Sequence, residues 1–148
     1  MTSVEDSFEI LLVEDETSDV RLVRGAFGEL SVDVTLTVIG DGADAVDVLR
    51  HRRDTDRAAV PHLVLLGLDL RRMDGFEFLE TLRADDGLAR LPVLVLAESS
   101  ACDDVRESYD LAANAYLTKP TDPDEYTAMV AAIAEFWFEQ AVLPRRSP

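Results

Sequence analysis

The sequence predicts an α/β fold, a doubly wound parallel sheet of five strands in one domain. Three observations predict it. Five short strand-like runs, four of them rich in Val, Leu and Ile, alternate with five stretches of helical periodicity. The central runs are apolar at nearly every position, which requires a sheet covered on both faces, and right-handed crossovers then place helices on each side. The length, 148 residues with 47% hydrophobic content, fills one ordinary domain and is too short for two.

The elements follow in order. "FEILLV" (8–13) is a short apolar strand, after which Thr17 or Ser18 is expected to cap a helix carrying Val20, Val23, Phe27 and Leu30 at three- and four-residue steps. "DVTLTVI" (33–39) alternates Val34, Leu36 and Val38 with polar partners, the pattern of a strand with one less protected face. "GDG" (40–42) turns the chain into a helix bearing Ala45, Val46 and Leu49. Residues 53–61 read as an unanchored linker, as does the tail "LPRRSP". "HLVLL" (62–66) leads through a loop to a helix around "FEFLETLR" (76–83). "LPVLVLA" (91–97) leads to a helix within 99–113, where Ser100 and Asp103 have the spacing of a capping box. "NAYLT" (114–118) is the fifth strand, and a last helix is expected from about Asp122 to about Gln140. The single domain is taken as 8–140, with residues 1–7 and 144–148 as flexible termini.

Charge excludes several functions. Thirty acidic residues against 14 basic ones give a net charge of -16. Such a chain repels nucleic-acid phosphates and anionic lipid, so neither is an expected partner. The acid is spread along the chain and Lys119 is the sole lysine, a composition that suits solubility in concentrated salt. Cys102 stands alone, which rules out an intramolecular disulfide and the Cys/His spacing of a zinc site. The start "MTSVEDSFEI" has no basic segment followed by an apolar one, and the expected compartment is the cytoplasm. His51 and His62 lie away from the strand-end loops, which leaves a metal-dependent hydrolase without a nucleophile–histidine pair.

In a doubly wound sheet, ligands bind outside the carboxyl ends of the central strands. Those ends carry Glu14 and Asp15 after the first strand, Gly67 after the third, Ala97 after the fourth and Lys119 after the fifth. An acidic pair facing a lysine suits a divalent cation and an oxyanion. As an isolated pair, Glu14 and Asp15 would equally serve as the acidic opening of a helix.

At these residues "ILLVEDE", "LVLLGLDLRRMDGFEFL", "LPVLVLAESS" and "NAYLTKPTDPDE" resemble, in order and in register over roughly 8–140, the receiver domains of two-component response regulators. The closing "FWFEQAVLP" further resembles the stand-alone receivers that pair with phytochrome-type sensor kinases. The resemblance implies a flavodoxin-like strand order 2-1-3-4-5 and no enzyme activity of the chain's own. It also implies a site in which Glu14 and Asp15, with the main-chain carbonyl of Asp69, hold Mg²⁺ beside an acceptor aspartate, and Lys119 faces them. The acceptor position falls on Gly67, and the hydroxyl residue that reports phosphorylation falls on Ala97. Arg71 stands in place of the usual proline, and Tyr116 at the switch aromatic. Glycine offers no nucleophile, so the implied phosphoryl transfer is closed at Gly67.

The expectation is therefore a degenerate receiver that signals by protein–protein contact without phosphorylation. Its vestigial pocket is Glu14, Asp15, Asp69 and Lys119, with Mg²⁺ bound weakly at most and Lys119 in direct contact with Asp15 or Glu14. The alternative is a phosphoryl-accepting regulator using Asp69 or Asp74 in place of the aspartate. Three consecutive helical residues span about 200°, so Phe136, Trp137 and Phe138 cannot all face the sheet. With Ile133 they are the expected surface of a homodimer; a histidine kinase or another signalling protein is the other expected partner.

Overall fold

The computed structural model describes residues 8–56, 59–98 and 100–141. Five strands, β1 (Phe8–Val13), β2 (Val34–Ile39), β3 (Leu63–Leu66), β4 (Val93–Ala97) and β5 (Ala115–Thr118), alternate with α1 (Thr17–Gly28), α2 (Gly42–Thr55), α3 (Gly75–Arg83), α4 (Cys102–Asp110) and α5 (Pro123–Ala134). The last helix continues as a π-helical turn, Glu135–Gln140. All pairings are parallel, in the order β2-β1-β3-β4-β5. The order reverses between β1 and β3, which opens a crevice at their carboxyl ends.

Side-chain alternation divides the core. Leu11, Val13, Val64 and Leu66 pack with Ala45, Leu49, Phe78 and Leu82 under α2 and α3. Ile10, Leu12, Leu63 and Leu65 pack with Val23, Phe27, Val130 and Ile133 under α1 and α5. Both faces of β1, β3 and β4 are covered, as their continuous apolar runs require. β2, on the sheet edge, is only partly buried, in keeping with its alternating sequence.

Several local expectations are corrected. Residues 53–61 are not an unanchored linker: α2 runs to Thr55, and Val60 is buried in the core. The N-cap of α1 is Glu16 rather than Thr17 or Ser18, and it makes no side-chain cap hydrogen bond. Ser100 forms no capping box, because α4 begins one residue after the uncapped Ala101. The capping box is instead at α3, where Asp74 accepts from the Glu77 N–H and Glu77 reaches back to the Asp74 N–H. The tails 1–7 and 144–148 lie outside the described residues.

The aromatic surface is also narrower than expected. Ile133 is buried beneath α5, and Phe138 stacks on Phe8 at 4.4 Å between ring centroids. Ile133 is thus withdrawn from the surface, whereas Phe138 stays partly exposed. The widened π turn redistributes the side chains that α-helical spacing would have placed on one stripe. Phe136 remains 52% exposed, with Trp137 edge-on against it. Among the described residues, no helix is long and apolar enough to cross a membrane.

Candidate functional site

The strand-end residues meet because their backbones are stitched together. The Gly67 N–H donates to the Val13 carbonyl at 2.9 Å, and the Lys119 N–H donates to the Ala97 carbonyl at 2.7 Å. These bonds bring Glu14, Ala97 and Lys119 around one cleft of about 200 Å³, whose lining adds Asp15, Glu16, Asp19, Asp69 and Glu98, with Gly67 buried behind the Glu14 carboxylate. Gly75 opens α3 directly against the end of β3. A Cβ there would stand 2.5 Å from the Gly67 carbonyl oxygen, so only glycine lets α3 start this close to the end of β3.

Lys119 is the electrostatic centre. Its Nζ lies 2.8 Å from Glu14 Oε1 and 2.7 Å from Asp19 Oδ2, and all three side chains are largely buried. Burial alone would lower the ammonium pKa, but hydrogen bonding and charge from Asp19 and Glu14 win and hold it above its ordinary value. Tyr126 extends the network by donating its hydroxyl to Asp19 Oδ1 at 3.1 Å. Burial, followed by the charge of Asp19 and this hydrogen bond, pushes its phenol up to about 12.

Glu14 is turned inward and only 5% exposed. Its Oε2 accepts from the N–H groups of Asp15 and Glu16, each at 3.1 Å, at the point where α1 begins. Its Oε1 has the ion pair with Lys119 but no well-aligned hydrogen bond. Of the two alternatives expected, Lys119 contacts Glu14 and not Asp15. The ion-pair partner of Asp15 is Arg71, 3.8 Å away and mostly exposed.

The remaining predicted residues take separate roles. Asp69 is an exposed loop residue on the cleft rim, while the Asp74 carboxylate is committed to capping α3. Tyr116 is partly buried against the α2–α3 side of the core; burial and the charges of Asp104 and Asp69 raise its phenol pKa. Ala97, at the end of β4, presents only a methyl group to the cleft. Arg72 pins the loop after β3 by donating to Asp41 at 2.5 Å and Asp44 at 2.8 Å, and holds a left-handed φ of 61°. His62 lies at the opposite end of β3, where its Nδ1 accepts from the Glu9 N–H.

Asp19 and Tyr126 are the participants that sequence reasoning missed. Asp19 sits in the first turn of α1, an ordinary place for a carboxylate beside the positive end of a helix. The available signal was its position five residues after Glu14, one turn into the helix that starts at the cleft.

These side chains do not fit a resident divalent cation as they stand. Glu14 is committed to Lys119, Asp15 faces Arg71, and no three carboxylate, imidazole or thiol groups among the described residues converge to hold a metal ion.

The model of the response regulator receiver domain matches residues 10–131. Response regulator Rcp1 of Synechocystis sp. is 38% identical over 135 residues, spanning 91% of this chain and 92% of that protein. The crystal structure of the phosphorylated cyanobacterial phytochrome response regulator RcpA superposes with a TM-score of 0.85 at 37% identity, over 94% of this chain and 99% of that one. The Mn²⁺-bound form of Rcp1 gives a TM-score of 0.82 at 38% identity, over 93% and 99%. With the receiver model matching residues 10–131, a relative 38% identical over nine-tenths of its length and the strand order β2-β1-β3-β4-β5, the chain belongs to the response regulator receiver family of two-component signalling.

Proposed function

We propose that this chain is a pseudo-receiver, a binding module that carries signals by protein–protein contact and takes no phosphoryl group. The observation that carries the reading is Gly67, which leaves the end of β3 without a nucleophile beside the Glu14 carboxylate that pairs with Lys119. Ala97 supports it independently, since a methyl group cannot hydrogen-bond a phosphoryl oxygen. The site needs no Mg²⁺, and the chain has no catalytic activity of its own. RcpA has been solved phosphorylated and Rcp1 with Mn²⁺. Here Glu14 and Asp19 are paired with Lys119, and Asp15 with Arg71, instead.

The partner is the sensor kinase of a phytochrome-type pathway or another signalling protein in the cytoplasm, and the retained fold lets the chain occupy a kinase without consuming its phosphoryl group. Nucleic acid and membrane are excluded as partners by the charge of -16. A homodimer is formed through Phe136, Trp137 and Phe138, the part of the expected aromatic surface left exposed or half-exposed. Sedimentation of Phe136→Glu tests it: a parent that is monomeric across micromolar concentrations removes the dimer.

The deciding experiment is incubation with acetyl phosphate and Mg²⁺ followed by intact mass. No gain is expected. A stoichiometric gain of one phosphoryl group, mapped to Asp69 or Asp74, would replace this reading with that of a regulator using a substitute acceptor. Asp74 is already engaged as a helix cap, so Asp69 is the acid such a reaction would reach.

A further inference from the structure

The Glu14 carboxylate occupies space that any side chain at position 67 would need. A Cβ on Gly67 would stand 2.7 Å from Glu14 Oε1 and 3.2 Å from Glu14 Cδ. The tip of a long side chain ordinarily yields to such a contact, but this one is held at both oxygens. Oε2 accepts two backbone N–H groups at the opening of α1, and Oε1 is paired with the Lys119 ammonium. Glu14 thus reaches from the end of β1 towards the end of β3 and brings a carboxylate beside Gly67.

We propose that Glu14 is a resident substitute for the missing side chain at position 67, a built-in carboxylate that neutralises Lys119 and locks the cleft in one state. Two carboxylates, Glu14 and Asp19, already flank the ammonium, which leaves it little uncompensated charge for an incoming oxyanion. The same commitment withdraws Glu14 from a divalent cation, because one of its oxygens is paired with Lys119 and the other already accepts two backbone N–H groups. Positions 14 and 67 are then energetically coupled in this chain: a side chain at 67 requires the Glu14 carboxylate to leave its place beside Lys119. This lock rests on the phosphorylation-independent reading above and adds to it the residue that enforces it.

The test is a double-mutant cycle on the full chain with Gly67→Asp, Glu14→Ala and the pair together. Two readouts are taken, the urea midpoint at fixed KCl and the rate at which an amine-reactive ester acylates Lys119. Because Lys119 is the sole lysine, peptide mass distinguishes its label from that of the amino terminus. Gly67→Asp alone should lower the midpoint, and Glu14→Ala alone should accelerate acylation at least tenfold. The double variant should recover both midpoint and protection, because the new aspartate can reach Lys119 from β3. If Gly67→Asp fails to fold, Gly67→Ala in the parent and Glu14→Ala backgrounds reads the same coupling, with a penalty expected only where Glu14 is present. Strictly additive midpoints, or a Lys119 as protected without Glu14 as with it, would overturn the lock. The two failures are distinct, since labelling of the parent by acetyl phosphate overturns the preceding reading instead.

Discussion

Tyr126 shows how much of the cleft's energetics lies in residues that do not line it. Its phenol is fully buried and tied to Asp19, which in turn grips Lys119. An unfolded tyrosine loses its proton near pH 10 (about 10) and a lysine near 10.4 (about half a unit higher), whereas both folded groups keep theirs to higher pH, Tyr126 to about 12. Between those values the unfolded state binds fewer protons, so stability falls as pH rises. The contribution is fully present at pH 7 and is lost from about pH 10 upward. Tyr126→Phe should cost about 1–2 kcal/mol at pH 7 by removing a donor to a charged acceptor, and should make the alkaline decline shallower. Urea midpoints from neutral to alkaline pH check both; a decline as steep as the parent's would contradict the role given to Tyr126. At this scale the strand-end residues were legible, because Glu14, Gly67, Ala97 and Lys119 follow apolar runs directly. Asp19 and Tyr126 were not, since each is unremarkable on its own helix and meets the other only when α1 packs on α5.

The helices differ in how firmly they are anchored. α3 buries Phe78, Leu79 and Leu82 and closes a capping box, whereas α4 has no side-chain cap and buries only Ser108. That hydroxyl is fully buried without a hydrogen-bond partner, an unfavourable arrangement costing about 1–3 kcal/mol. Ser108→Ala should therefore raise stability, by about 1 kcal/mol after the small loss of packing, and Ala101→Ser should add about 0.5–1 kcal/mol by capping the first turn. Thermal denaturation reads both gains, and amide exchange should be faster in α4 than in α3 in the parent. A loss of stability in Ser108→Ala would mean that the hydroxyl has a partner in solution. Element type was legible from periodicity throughout, because buried strands and amphipathic helices leave different spacings. Caps and the last turn were less so. Ser100 has the right spacing but α4 starts after it, and no spacing rule distinguishes the π turn at Glu135–Gln140 from the α-helix before it.

Over the whole molecule the unbalanced quantity is charge. The cleft alone gathers Glu14, Asp15, Glu16, Asp19, Asp69 and Glu98 around Lys119, and the chain as a whole carries -16. Folding concentrates those carboxylates, so their mutual repulsion opposes the compact state. Screening shortens from about 10 Å at 0.1 M salt to about 3 Å at 1 M, which removes the long-range repulsion but leaves buried contacts such as Lys119 with Glu14 and Asp19 largely intact. Stability should thus rise steeply with KCl and flatten near molar concentration, because repulsion between exposed carboxylates is then already suppressed. Exclusion of salt from the surface acts differently: it strengthens burial of apolar groups and continues to grow with concentration, more for sulfate than for chloride. Denaturation midpoints in KCl and in potassium sulfate at matched ionic strength separate the two. Coincident curves with a plateau would assign the effect to screening of the acidic surface, and an insensitivity to KCl below 1 M would show that the acid is neutralised locally and that concentrated salt is not what this composition serves.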